Sequence, residues 1–403
     1  MADKNVIINT LKRANGLLSN YEYDIREDNF PVFNGDSFIG GNLGLVLYNF
    51  YYAKFLDDKD SEARAAQLLV EVFDRLDEGK STLNSYSFSY GLSGLLFLLD
   101  HLASHKFIEY EEEHPDLNEQ ICEWAEDNIK KGDCEYLHGA IGALHYFSGV
   151  KQLEVGDGLI ARLLQAIQAV AVYKDEGAYI DVFNELVPEY KRGSINLSLS
   201  HGLSGIVLVL LNTIASGKGD EDLIVFVRRC LSYLKNQFHE VDFSQRIFCH
   251  FDSVQNEDIR PRSNTRLAWC YGDLNQALLF LKAGQILQDT EYAVLGERIG
   301  LTALKRRTED QTFVEHSTFC HGASGIAQIF KTFYVITGNP SFLEGYEYWI
   351  EETLKLLINE LDNGYYENER YRGQLLDGLP GSSMILMSYV SDEMPDWQKL
   401  FLL

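Results

Sequence analysis

The sequence predicts an all-α protein, a double-layered α/α toroid of about seven inner and seven outer helices, and three observations carry that expectation. A Gly-x-x-Gly step or a near copy recurs seven times: Gly41/Gly44, Gly91/Gly94, Gly139/Gly142, Gly202/Gly205, Gly272 with Asn275, Gly322/Gly325 and Gly378/Gly381. The runs behind these steps, such as Ile206 to Leu211 and Leu278 to Leu281, are apolar nearly all round, as expected of helices buried on most sides. The segments between them carry a one-sided apolar stripe and a charged face, so they read as outer helices.

Subtracting successive first glycines gives spacings of 50, 48, 63, 70, 50 and 56 residues, a period that belongs to repeat architectures. The expected outer helices run Val6 to Leu18, Ser61 to Glu78, Leu117 to Lys130, Leu159 to Lys174, Glu221 to Phe238, Tyr292 to Arg307 and Phe342 to Leu361. The first glycine of each step is expected to let the chain turn sharply into an inner helix, and the second to permit close helix packing. Most of the seven prolines fall between these helices, with Pro340 and Pro380 at helix starts, where a missing N–H costs little. The two long spacings carry insertions near 175–195 and 240–265, each leading into a glycine step and expected to overhang the substrate groove. Because the repeat covers the chain almost end to end, residues 1–403 are expected to form one domain.

Composition narrows the function. A net charge of −25 argues against a nucleic-acid surface, which needs clustered Lys and Arg, and suits a cationic peptide partner or plain solubility. There is no run of 18 apolar residues and no signal-like start, so neither a membrane span nor secretion is expected. Six cysteines without a C-x-x-C pair read as reduced thiols in a cytoplasmic protein rather than as a disulfide framework.

The repeat also aligns the chemistry. Immediately before the first glycines stand Gly40, Tyr90, His138, His201, Tyr271, His321 and Asp377, and one residue earlier stand Ile39, Ser89, Leu137, Ser200, Cys270, Cys320 and Leu376. Equivalent positions of a closed ring face one mouth. Cys270, Cys320 and His321 therefore form a candidate zinc set, with three protein ligands and the fourth tetrahedral position open. Cys249-His250 is also a Cys-His pair, but it lies off the repeat and reads as structural or surface. His201 follows Ser200 rather than a Cys, which suits an acid/base beside the metal. His138, Glu135 and Asp133 are candidates to assist it, and Arg266 is a candidate for holding an anionic intermediate.

These residues lie in four blocks, Asn196 to Ile206 (NLSLSHGLSGI), Arg266 to Gly272 (RLAWCYG), Cys320 to Ile326 (CHGASGI) and Leu376 to Ser388 (LDGLPGSSMILMS), and with them the sequence resembles the lanthionine synthetase C family of lantibiotic cyclases. The resemblance implies a double-layered α toroid with one zinc per chain, held by Cys270, Cys320 and His321. It places the family's catalytic histidine on His201, its arginine on Arg266 and its tyrosine on Tyr271. The family's acid falls on Glu135, where the prototype has Asp, which leaves Glu135 or Asp133 for that role. Asp273-Leu274-Asn275 departs from the family's usual Gly- or Pro-containing turn.

The implied activity is addition of Cys thiols to dehydroalanine or dehydrobutyrine in a dehydrated precursor peptide, giving (methyl)lanthionine. The implied partners are that peptide, a dehydratase and a peptide transporter, with the chain cytoplasmic or peripheral to a membrane-bound complex. Two other readings remain: a zinc-containing peptide- or thiol-binding scaffold without turnover, and a glycosidase on the same fold, which would need paired carboxylates rather than thiolates.

Overall fold

The computed structural model describes residues 2–23, 35–111, 113–150, 157–182, 194–237, 253–255, 266–367, 371–391, 394 and 396–403. The helices run in the order α1 (Lys4–Leu18), α2 (Asn42–Leu56), α3 (Lys59–Asp77), α4 (Leu92–Ser104), α5 (Pro115–Lys131), α6 (Ile141–Gly149) and α7 (Asp157–Val170). Strands β1 (Val172–Lys174), β2 (Gly177–Tyr179) and β3 (Ser194–Asn196) follow, then α8 (Leu203–Ala215), α9 (Glu221–Asn236) and strand β4 (Ser253–Gln255). The chain continues with α10 (Asp273–Ile286), α11 (Thr290–Ala303), α12 (Glu309–Thr312), α13 (Ala323–Thr337), α14 (Pro340–Asp362) and α15 (Leu379–Val390).

The even-numbered helices α2, α4, α6, α8 and α10, together with α13 and α15, each follow a glycine step. In α2 every residue from Asn42 to Ala53 is buried, and in α8 every residue from Leu203 to Leu211. The intervening helices bury one stripe only, as α3 does with Ala65, Leu68, Leu69 and Val72. Aspartates cap several of these outer helices: Asp3, Asp58, Asp220 and Asp289 each accept first-turn N–H groups.

The inner helices start differently, because a glycine N-cap offers no side chain. The loop ahead folds back, and its own carbonyls take the free N–H groups: Asn42 N donates to Gly35 O, Leu92 N to Ser85 O, Ala323 N to His316 O and Leu379 N to Arg372 O. This explains the repeat. A Cβ at Gly202 would lie 2.5 Å from Asn196 O, and one at Gly205 would strike Leu199 O. Both glycines therefore clear space for the loop's backbone; the close approach is mainly loop on helix rather than helix on helix. Gly272 alone among the N-cap glycines that open α2, α4, α8, α10 and α15 also has positive φ, at 97°.

The described residues group into two compact units. Unit one comprises Met1–Tyr110, Val314–Gln328 and Leu343–Leu400. Its glycine-step loops are joined edge to edge by backbone bonds: Phe319 N and Cys320 N donate to Leu376 O, Leu375 N to Ile39 O, and Phe38 N and Ile39 N to Ser89 O. The seventh repeat is thus paired with the first, and α15 packs against both α1 and α2.

Unit two comprises Glu111–Phe313, Ile329–Phe342 and Phe401–Leu403. Here α8 packs against α6 and α10, and Leu199 N donates to Cys270 O to join two glycine-step loops. The insertions contribute what the helical pattern did not announce, two antiparallel two-stranded ribbons, β1 with β2 and β3 with β4. The helix expected to reach Lys174 stops at Val170, because the chain enters β1 and turns through Gly177, whose φ is 148° and whose Cα lies against Arg229 O. The ribbon of β3 and β4 pairs Ser194 to Asn196 with Ser253 to Gln255 and leads straight into the His201 loop.

Candidate functional site

Unit one contributes Cys320 and His321 from the loop that runs into α13. That loop is held from behind by Glu360, a buried carboxylate that accepts Ser317 N at 2.8 Å and Ser317 Oγ at 2.5 Å. Tyr366 also donates to Glu360, at 3.3 Å, and Phe319 packs on Trp397 with ring centroids 5.6 Å apart. Cys320 is buried, whereas the His321 side chain is 44% exposed. Cys320 Sγ lies 3.8 Å from His321 Nε2, and His321 Nδ1 lies 3.6 Å from Asp377 Oδ1.

Two donors of one tetrahedral zinc, at bond lengths of about 2.3 Å to sulfur and about 2.0 Å to nitrogen, lie roughly 3.5 Å apart. The Cys320–His321 pair is therefore close to that spacing, and Asp377 stands behind the other ring nitrogen as carboxylates commonly do behind metal-bound histidines. Asp377 shares the register position before its glycine, yet no sequence signal links it to His321.

Unit two contributes Cys270. Its loop is fixed at several points: Leu267 N donates to Thr312 O, Trp269 Nε1 donates to Phe401 O at 3.0 Å, and Cys270 O accepts from Leu199 N. Cys270 is buried, and Asp273 in the first turn of α10 forms a buried ion pair with Arg306. The departure at Asp273-Leu274-Asn275 thus supplies an anchor for this helix start. Arg266 and Tyr271 flank the same loop and are partly exposed, with Arg266 O lying against Gly272. Cys249-His250 lies outside the described residues, as do much of 175–195 and most of 240–265.

The other part of unit two is built around Glu135, which is fully buried. Its Oε2 accepts Leu137 N at 2.9 Å and meets His201 Nδ1 at 3.0 Å. Its Oε1 accepts Gly139 N at 3.0 Å and also His138 N. The carboxylate at His201 is thus Glu135; Asp133 sits at the head of the same loop, where its carbonyl accepts Ala140 N. Ser198 Oγ accepts His201 N at 3.2 Å, and the His138 and His201 rings stack with centroids 5.4 Å apart and planes 28° from parallel.

Burial raises the Glu135 carboxyl, but His138, His201 and the hydrogen bonds outweigh it and bring it below the usual carboxylate range. Burial lowers the His138 imidazole to about 4, against the pull of Glu135, so that ring is neutral near pH 7. Three other described thiols are held protonated: Cys134 and Cys230 are pushed far up by burial, and Cys122 to about 11.

Among the described residues, two groups of side chains could hold a metal ion. One is Glu135, His138 and His201, whose donor atoms lie within 4.8 Å of one another. Its carboxylate already accepts four N–H groups, about its full capacity, so it fits a hydrogen-bonded acid/base unit better than a cation site. The other is Cys270, Cys320 and His321. Two soft thiolates with an imidazole fit zinc.

Residues 32–402 match the sequence model of the family described as lanthionine synthetase C-like protein. The nisin biosynthesis protein NisC of Lactococcus lactis subsp. lactis is 24% identical over 322 residues, which cover 76% of this chain and 71% of that one. The solved structure of nisin cyclase superposes with a TM-score of 0.76 at 19% identity, covering 99% of this chain and 98% of that one. That match bears out the α/α toroid class expected from the repeat. Among the described residues no helix is long and apolar enough to cross a membrane. The family match spans all seven glycine steps, and the chain belongs to the lanthionine synthetase C-like family.

Proposed function

We propose that this chain is a zinc-dependent peptide cyclase, which closes (methyl)lanthionine rings by adding Cys thiols of a dehydrated precursor peptide to dehydroalanine or dehydrobutyrine. The observation that carries the reading is the pairing of two distinct kinds of histidine site in a family member: a Cys-His pair at zinc-donor spacing, and a separate histidine bound to a buried carboxylate.

Zinc held by Cys270, Cys320 and His321 would supply a Lewis acid that depresses the pKa of a substrate thiol, so that a thiolate is available near neutral pH. The sulfur then forms a bond to the β-carbon of the dehydro residue while the C=C π pair moves onto the α-carbon and its carbonyl as an enolate. His201 is the proposed donor of a proton to the α-carbon, while the proton lost by the thiol passes to solvent, so the addition conserves atoms. Glu135 holds its Nδ1 side, and Nε2 is the proposed proton donor. Arg266 and Tyr271, on the Cys270 loop, are the proposed donors to the enolate oxygen.

The net charge of −25 suits a cationic core peptide. The proposed setting is the cytoplasm, alone or at the periphery of an assembly with a dehydratase and a transporter.

Ring closure conserves mass but consumes a thiol, so the test is alkylation of a dehydrated, Cys-containing peptide after incubation with the protein. The expected result is loss of alkylatable thiols well above the no-protein control. A peptide that binds but keeps every thiol at the control rate would contradict turnover and favour the scaffold reading.

A further inference from the structure

Within the Glu135 cluster, the contact between Glu135 and His201 is one hydrogen bond to one ring nitrogen. A hydrogen bond at one ring nitrogen fixes that atom, and a group that must deliver a proton also needs its other nitrogen aimed. The main-chain N–H of His201 is tied to Ser198 Oγ, which places the backbone but not the ring. What lies against the ring face is the imidazole of His138, offset-stacked at 5.4 Å and 28°.

The repeat explains how it comes to be there. His138 and His201 occupy the same register position, each directly before the first glycine of its step, and the two steps belong to neighbouring inner helices, α6 and α8. The main-chain N–H of His138 donates to Glu135 Oε1, so one carboxylate braces the backbone of one histidine and the ring of the other. The carboxylate and the two stacked rings therefore form one block.

We propose that His138 is a positioning residue for His201, acting through its ring face rather than through its nitrogens. This rests on the cyclase reading for its consequence in turnover but not for the geometry it asserts. Because burial keeps the His138 ring neutral, it lends an aromatic face without placing a second cation beside His201.

The test compares His138→Ala, His138→Leu and His138→Phe in the full chain, with zinc content and thermal stability as controls for folding. Hydrogen exchange at the histidine Cε1 position, read by mass spectrometry, reports the environment of His201 without any substrate, with half-exposed His316 as internal reference. Both non-aromatic variants should raise exchange at His201 and leave His316 unchanged. They should also lower kcat for thiol consumption about tenfold with KM little changed, as expected of a misaimed catalytic group. His138→Phe should restore both readouts.

Should Ala and Leu leave His201 exchange and kcat at wild-type values, His138 positions nothing and the proposal falls. It falls equally if Phe is as impaired as Ala and Leu while folded and zinc-loaded, since a nitrogen would then be what matters. If the wild-type protein consumes no thiols, the cyclase reading fails, yet the exchange arm still decides the positioning role.

Discussion

His201 and His321 stand at the same point of the same repeat, each one residue before a Gly-x-x-Gly step, and the structure gives them opposite surroundings. Behind His321 lies a half-exposed carboxylate, Asp377, and beside it a thiol, Cys320. Behind His201 lies a fully buried carboxylate, Glu135, whose acceptor positions are all in use, and beside it Ser200. The repeat fixes where a histidine is delivered, whereas the preceding residue and the acid behind it determine its chemistry. On the proposed reading, a Cys makes a metal donor pair and a Ser with a saturated carboxylate makes an acid/base unit.

The largest expected effect of breaking this contrast is on the thiol side. Cys270→Ala or Cys320→Ala should remove the bound zinc, because two protein ligands rarely retain it, and thiol consumption should drop to the uncatalysed rate. Metal analysis that still finds full zinc in either variant would overturn the ligand assignment. On the other side, His201→Ala should keep its zinc while turnover falls on the order of 10²- to 10⁴-fold, the usual contribution of a general acid or base. Wild-type rates in that variant would remove its role.

Much of the fold was legible in advance. The outer helix expected over Ser61 to Glu78 is α3, Lys59–Asp77, and that over Phe342 to Leu361 is α14, Pro340–Asp362, since a one-sided apolar stripe reports its own period. The ribbons were not legible, because strands of three residues are too short to show alternation. Nor was the purpose of the glycines. Their Cα atoms lie against carbonyls of the preceding loop, such as Gly322 against His316 O, a contact that only the folded loop reveals. Register brought His138, His201 and Asp377 into view, but the partners of each depend on contacts between distant loops: Glu135 meets His201 and Asp377 meets His321.

A smaller effect is expected at Asp377. Asp377→Asn removes the charge behind His321 Nδ1 and should weaken zinc about 10- to 100-fold in a chelator competition while leaving one zinc bound at saturation. Unchanged affinity would mean that the 3.6 Å contact does not orient the ring.

The smallest effect is on acid stability. Burial, aided by the charge of Lys282, lowers His145 in α6 to about 3, so folding favours its neutral form. An unfolded histidine takes up its proton near pH 6.5, so this stability is present above that pH and is lost as pH falls towards 3, at up to about 1.4 kcal/mol per pH unit. His145→Phe keeps a ring against Tyr136, whose centroid lies 5.4 Å away, and should show a smaller drop in Tm between pH 7 and pH 5 than the wild type. Parallel Tm curves would contradict it.

The central claim is that two histidines at one register do different work, and zinc content in paired variants tests it most directly. Wild-type protein should carry about one zinc per chain, from the donor set of Cys270, Cys320 and His321. His201→Ala should match it, and His321→Ala should lose most of it. Zinc lost from both variants, or from His201→Ala alone, would contradict the account.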